Sequence, residues 1–310
     1  MATAIDFEEL LREERLRRKE ADGRSRSSKC CPSRNEASAA TSSVAPHPVT
    51  CSRSRTSISR YVRERKKIDL DAFHVRGSLR DSVFYVNNFM AESEEKKILN
   101  DVDLLPWIQL RRRKLQNHGG SPHPDGMFRE RLPSFLQHIC AALVEAGIFP
   151  SETPPNHVLV NSYARGQGIA PHRDGPLYAP CVAILTFDGP ARLDFFSSLR
   201  NAKDGDPITS VLCESRSLLV FRHRAYRDLW HGIKEGVSED RIEAHTGNAH
   251  TLRTRIEDGH RAIPRAARRV SLTIRHVPNV RDDTKRFVTA EALAERSRKD
   301  KWWVESRGEG

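Results

Sequence analysis

The sequence predicts an α+β chain that is mainly β: a double-stranded β-helix (jelly-roll) core, N-terminal helices packed on one face, and a disordered basic tail ahead of it. Two orderings carry that reading. Helical patterns precede residue 150, whereas short β-branched or alternating runs follow it. Gly, Pro and Asp bound those runs at spacings of roughly 8–12 residues, the rhythm of a sandwich or barrel.

The tail is drawn over residues 1–75. Residues 1–67 hold 16 Lys/Arg against 9 Asp/Glu, a net of +7 out of the chain's +11. Residues 5–20 pattern as a charged helix with few apolar side chains to pack. Residues 21–60 are rich in Ser, Arg, Ala and Pro, and cannot bury enough apolar surface to fold. The run RYVRERKK (60–67) suits nucleic-acid binding, nuclear import or a solvated charge cluster.

Order is expected from about residue 80, in one domain reaching residue 280. SVFYVNNF (82–89) alternates like a strand, and SEEKKILNDV (93–102) follows as a helix capped by Ser93. RLPSFLQHICAALVEAG (131–147) is the longest helical pattern, apolar at 135, 136, 139, 140 and 143 and stopped by Gly147. HVLVNSY (157–163), CVAILTF (181–187), ARLDFF (191–196), RSLLVF (216–221) and RRVSLTIRHV (268–277) read as strands. The polar stretch at 235–266 is too long for a hairpin loop and is expected to be a mobile rim insertion. Residues 281–310 form a C-terminal extension, read as a surface helix with Trp302 and Trp303 docking.

Six cysteines without a CxxC pair or secreted spacing read as reduced thiols. No run approaches about 18 consecutive apolar residues, so no membrane span is expected. The N-terminus lacks the apolar run of a signal peptide. A soluble monomer in the nucleus, the cytoplasm or both is the expectation.

Three segments carry chemistry. In APHRDGP, His172 and Asp174 are spaced i, i+2, so a strand would aim both at one point. A third ligand could come from His223, His231, His245, His250 or His260. His231 is preferred because LWHGI is apolar and ends a strand, whereas arginines flank His223 and the others lie in the polar insertion. Two imidazoles and a carboxylate on Fe(II) leave three positions open, enough for a 2-oxo acid and O₂.

In RVSLTIR, Arg269, Ser271, Thr273 and Arg275 share one strand face. Unpaired guanidinium groups inside a barrel are costly, so an inward row of this kind calls for an anionic guest. A five-carbon diacid supplies two carboxylates, each able to accept forked hydrogen bonds. Asn161 and Tyr163 in LVNSY offer an amide and a phenol to the same guest. Zinc would also accept the His and Asp ligands, yet would leave two inward arginines at a distance from the metal unexplained.

The order N-x-Y, H-x-D, distal H and R-x5-R over residues 157–277 resembles the AlkB family of Fe(II)/2-oxoglutarate dioxygenases. WIQLRRRKLQNHGGSPHPDGM (107–127), ERLPSFLQ (130–137), NHVLVNSYARGQGIAPHRDGPLYAP (156–180), RSLLVFR (216–222) and RVSLTIRHVP (269–278) are similar to its homologue 6 subfamily. The resemblance implies Fe(II) on His172, Asp174 and His231. It implies 2-oxoglutarate with its distal carboxylate on Arg269, aided by Asn161, Tyr163 and Ser271, and Arg275 by the carboxylate nearer the metal. It also implies oxidation of a C–H bond, usually of an N-methyl group that then leaves as formaldehyde.

Alkylated or methylated nucleic acid is the implied partner, and a protein side chain is the alternative. A weakly catalytic binder is disfavoured because every metal ligand and both arginines are retained. In this resemblance the segment before the barrel is a nucleotide-binding lid, here Arg111, Arg112, Arg113, Lys114 and Asn117, whose cations could hold phosphates. Two residues after Asp174 stands Pro176, where base-repair members carry an acidic residue. Ser271 takes a place that is often Asn.

Overall fold

The computed structural model describes residues 65–110, 112–123, 126–253 and 262–281. Alternation along its strands decides the layering. On β7 (Cys181–Phe187), Ala183, Leu185 and Phe187 face one way and Val182 and Ile184 the other. β14 (Arg268–Arg275) divides more sharply: Val270, Leu272 and Ile274 join an apolar cluster, and every second residue is polar.

The apolar cluster lies between a seven-stranded sheet and two helices. The sheet runs β1-β10-β7-β14-β5-β3-β2, with β1 at Val83–Val86, β2 at Ile108–Gln109, β3 at Lys114–His118, β5 at His157–Ala164 and β10 at Leu218–Arg222. Helices α1 (Glu92–Leu104) and α2 (Ser134–Glu145) cover it. The five apolar positions read in α2 are all buried, and a fully buried side chain of this kind contributes about 2 kcal/mol.

The other face of the large sheet meets a four-stranded one ordered β6-β11-β8-β9. These are Ile169–His172, Trp230–Ile233, Ala191–Phe196 and Thr209–Cys213. Val182, Ile184, Leu219 and Phe221 from one sheet pack on Leu193, Phe195 and Val211 from the other. Two facing sheets with helices outside the larger are the expected jelly-roll. β4 (Met127–Phe128) pairs in parallel with β15 (Val280–Arg281) beside this core. Cys140, Cys181 and Cys213 are free thiols, and no described helix is long and apolar enough to cross a membrane.

Three expectations are corrected. Helix α1 begins two residues early, its cap at Ala91 rather than Ser93, because the Glu94 carboxylate accepts the Ala91 N–H at 2.6 Å. Residues 65–75 belong to the core rather than the tail. Leu70 and Val75 are buried, and Val75 N–H donates to Val83 at 3.0 Å. Arg65 lies 2.8 Å from Glu94 and stacks over Phe89. The dense charge of this segment hides its few anchoring residues in the sequence.

The described part of the rim insertion is likewise fixed. β12 (Glu239–Arg241) pairs with β13 (Ala262–Pro264), and the buried Asn248 side chain bonds both the N–H and the carbonyl of Leu212. An amide side chain thus completes the edge of β9 where a strand would. Residues 1–64, the C-terminal expectation beyond 281 and insertion residues 254–261 lie outside the described residues.

The Arg65–Glu94 pair has both side chains under a tenth exposed. Removing one partner of such a pair costs about 3 kcal/mol or more. Arg65→Ala should therefore lower unfolding free energy by roughly 3 kcal/mol in denaturant titration, whereas a dispensable tail residue would change nothing.

Candidate active site

The candidate metal ligands converge through strand pairing. His231 on β11 is the direct partner of His172 on β6 and of Phe195 on β8. The His172 and His231 ring centroids are 4.4 Å apart, and Phe221 and Phe195 wall in His231. Gly232 follows because a Cβ there would come within 2.9 Å of backbone atoms of Ile169 and Pro171. Asp174 lies just past β6, with a carboxylate oxygen 3.7 Å from His231 Nε2. One ligand atom from each of His172, Asp174 and His231 falls within 4.8 Å of the others. Among the described residues these three are the one cluster able to hold a metal ion.

Their protonation suits a cation. Burial, then the neighbouring His231, pushes His172 down to about 3, and burial also lowers His231. Both imidazoles are thus neutral ligands at neutral pH. His172 Nδ1 lies 2.9 Å from the Ala170 carbonyl; it carries the hydrogen there and leaves the Nε2 lone pair for metal. Asp174 accepts a hydrogen bond from Arg275 Nη2, which orients the carboxylate. Burial alone would lower the Arg275 guanidinium, but Asp174 and Tyr178 more than offset it, and its affinity for its proton rises.

β14 pairs with β5 in a register that sets Arg269 opposite Tyr163, Ser271 opposite Asn161 and Arg275 opposite His157. All of these side chains but His157, with Thr273 and the imidazoles of His172 and His231, line one cavity between the sheets. The polar row of RVSLTIR therefore points inward. At the end away from the metal ligands, Arg269 is buried, donates to Thr186 Oγ1 at 3.0 Å and lies 5.6 Å from the Tyr163 ring. Burial lowers its pKa. Its Nε and the Asn161 Oδ1 are buried polar atoms with no protein partner among the described residues. A diacid carboxylate would satisfy that guanidinium, so the donor set fits both Fe(II) and 2-oxoglutarate.

The basic run is distributed differently from a phosphate patch. Arg112 pairs with Glu235 at 3.0 Å, Arg113 is buried and its charge reaches His172, and Lys114 is exposed. Asn117 is exposed, its Oδ1 2.8 Å from His157 Nε2 and its Nδ2 donating to the Gly120 carbonyl. Arg111 lies outside the described residues.

Sequence reasoning missed Thr186, His157 and Tyr178, whose ring lies 4.7 Å from the Arg275 guanidinium. Thr186 was within reach, since alternation along CVAILTF puts it on the face of Val182 and Ile184. Tyr178 lies in a loop without periodicity.

Residues 105–275 match the 2OG-Fe(II) oxygenase superfamily. The chain belongs to that superfamily, and the resemblance read from the motifs holds within it. It is 38% identical over 226 residues to a Danio rerio protein named Probable RNA/DNA demethylase ALKBH6, covering 70% of this chain and 94% of that one. It is 26% identical over 219 residues to an Arabidopsis thaliana protein named Alkylated DNA repair protein ALKBH8 homolog, covering 64% of this chain and 58% of that one. Among solved structures, that of OsALKBH1 gives a TM-score of 0.44 at 16% identity, covering 66% of this chain and 98% of that chain. The protein is an Fe(II)- and 2-oxoglutarate-dependent oxygenase of the AlkB kind.

Two expected outcomes follow from the geometry. Partners that orient a metal ligand are worth about 10–100-fold in metal affinity. Arg275→Met should weaken Mn(II) binding by roughly that factor, measured by calorimetry on the metal-free protein, with helicity unchanged.

The second concerns His157, held neutral by burial with a pKa of about 3, against 6.5 in solution. Between those values the unfolded chain binds the proton and the folded one resists it. Its contribution is therefore complete above 6.5 and declines as pH falls towards 3. His157→Gln, which keeps a donor for Asn117, should flatten the fall in unfolding free energy between pH 7 and pH 5.

Proposed function

We propose that this oxygenase oxidatively demethylates alkylated or methylated nucleic acid, with His172, Asp174 and His231 as the Fe(II) ligands. The observation that carries the proposal is the shared cavity. It has a two-imidazole, one-carboxylate face at one end and, at the other, a buried guanidinium lacking an anion. The substrate class is supported by the relative of Danio rerio, whose name describes an RNA/DNA demethylase.

Bound iron and 2-oxoglutarate would supply oxidation of a substrate C–H bond, with decarboxylation of the oxo acid. The chain's own residues do the rest. Arg269, Thr186, Asn161, Tyr163 and Ser271 hold the distal carboxylate and fix the oxo acid's direction. Arg275 keeps Asp174 oriented and places positive charge beside the carboxylate nearer the metal. Phe195, Phe221, Ile184 and Leu219 exclude water from that end of the cavity. A low-dielectric wall strengthens each of these charge contacts. The protein acts as a monomer in the nucleus, the cytoplasm or both.

A second reading, hydroxylation or demethylation of a protein side chain, is favoured by the disposition of the basic run. With Arg112 bound to Glu235 and Arg113 buried, fewer cations face solvent for phosphates than the sequence suggested.

Anaerobic addition of Fe(II) and 2-oxoglutarate should produce a weak visible charge-transfer band, lost in His172→Ala and in Arg269→Ala. Formaldehyde should then be released from N-methylated oligonucleotides and not from methylated peptides. Release from peptides alone would transfer the activity to the second reading. Failure of wild type to bind metal and oxo acid would remove both.

A further inference from the structure

The rim insertion places a charged pair beside the end of the cavity where Arg269 lies. Arg265, between β13 and β14, donates from Nε to Asp240 Oδ2 at 2.9 Å and from Nη2 to Asp240 Oδ1 at 2.7 Å. Its Nη1 donates to the carbonyls of Lys234 at 2.8 Å and Gln167 at 3.1 Å. Both side chains are about 95% buried. Arg265 and Arg269 then border one small gap, about 10 Å³ in volume, together with Tyr163, Gln167 and Ile233. Tyr163, Ile233 and Arg269 also line the main cavity, so this gap adjoins it at the end where Arg269 lies. A space of that size holds at most about one water.

We propose that the Arg265–Asp240 pair is a cap that sets the length of oxo acid the cavity accepts. The inference rests on the assignment of Arg269 to the distal carboxylate. Arg265 is not a second clamp, because each of its nitrogens already donates to Asp240 or to a backbone carbonyl. It is a wall. Its position is over-determined by two strands of the hairpin, the loop at Gln167 and the end of β11. A buried ion pair is a poor source of stability, and apolar residues of similar volume would often serve as well. Its charges matter here because Asp240 must stay neutralised. Freed, that carboxylate would compete with the diacid for Arg269.

The test is calorimetric titration of anaerobic, Fe(II)-loaded protein with 2-oxoglutarate and with 2-oxoadipate, one methylene longer. Wild type should bind 2-oxoadipate at least tenfold more weakly. Arg265→Ala, leaving Asp240 only the Arg192 N–H, should weaken 2-oxoglutarate by tenfold or more. The double variant Arg265→Ala/Asp240→Ala should recover much of that loss and reduce the preference between the two acids to under threefold. A purely structural cap predicts instead that the double variant is no better than the single one.

Arg265→Lys, which keeps the charge opposite Asp240 and removes volume from the wall, serves where the truncations do not fold. It should reduce the preference at least threefold with a melting temperature within a few degrees of wild type. Equal wild-type affinity for the two acids overturns the cap outright, as does an unchanged preference in a folded variant. Absence of 2-oxoglutarate binding to wild type would instead remove the co-substrate assignment on which the cap rests.

Discussion

A guanidinium inside a β-sandwich must be neutralised, and β14 carries two of them on its inward face. Arg275 meets the requirement with Asp174. Arg269 does so only in part, through a threonine hydroxyl and a tyrosine ring. That difference sets the character of the two ends. Where the counter-charge belongs to the chain, the carboxylate is held in one orientation, as the proposed metal ligand must be. Where it is missing, the position is left for the carboxylate of a guest. Binding and metal chemistry are thus two consequences of one alternating strand.

The same strand is why the site is stiff. Its other face gives Val270, Leu272 and Ile274 to the cluster beneath α1 and α2. A tilt or slip that moved the arginines would also pull three buried side chains out of that cluster. The register with β5 fixes the order of Arg269, Ser271, Thr273 and Arg275 along the cavity. On the opposite sheet, pairing of His231 with His172 does the equivalent for the metal ligands. His172 and His231 lie on one sheet and the arginines on the other, and Arg275 joined to Asp174, just past β6, links the two.

Much of this was legible because period-two alternation is a local property. RVSLTIR and LVNSY state which residues share a face, and the structure turns those faces inward together. HxD pointed to two adjacent candidate ligands, but β6 ends at His172 and Asp174 reaches the same point from the loop beyond it. The choice of His231 over His223 rested on apolar context, and the burial of His231 reflects that context. What was not legible depends on contacts between distant segments. Nothing local in KIDLDAFHV says that Leu70 and Val75 are buried, because their partners are residues beyond it. The order of the insertion depends on Asn248 reaching β9 and on Arg265 reaching Asp240 across 25 positions. A polar composition reads as exposed unless the counter-charges are known.

The basic run at 111–114 shows the same limit in the opposite direction. Four consecutive cations suggest a continuous phosphate track, yet a strand sends neighbours to opposite sides, and the turn before β3 separates them further. Arg113 is drawn into the interior near His172, Arg112 is engaged by Glu235, and Lys114 is left to solvent. Charge density in sequence therefore overstates charge density on the surface. A polyanion approaching this edge meets Lys114 directly and would have to displace Glu235 to gain Arg112. That half-buried pair is worth at most about 1 kcal/mol, so a phosphate could exchange with it at little expense. Among the described residues this edge is consequently not a preformed cationic groove. Its affinity for a charged substrate depends on how easily one carboxylate gives way, which ties substrate recognition to the rim beside the metal ligands.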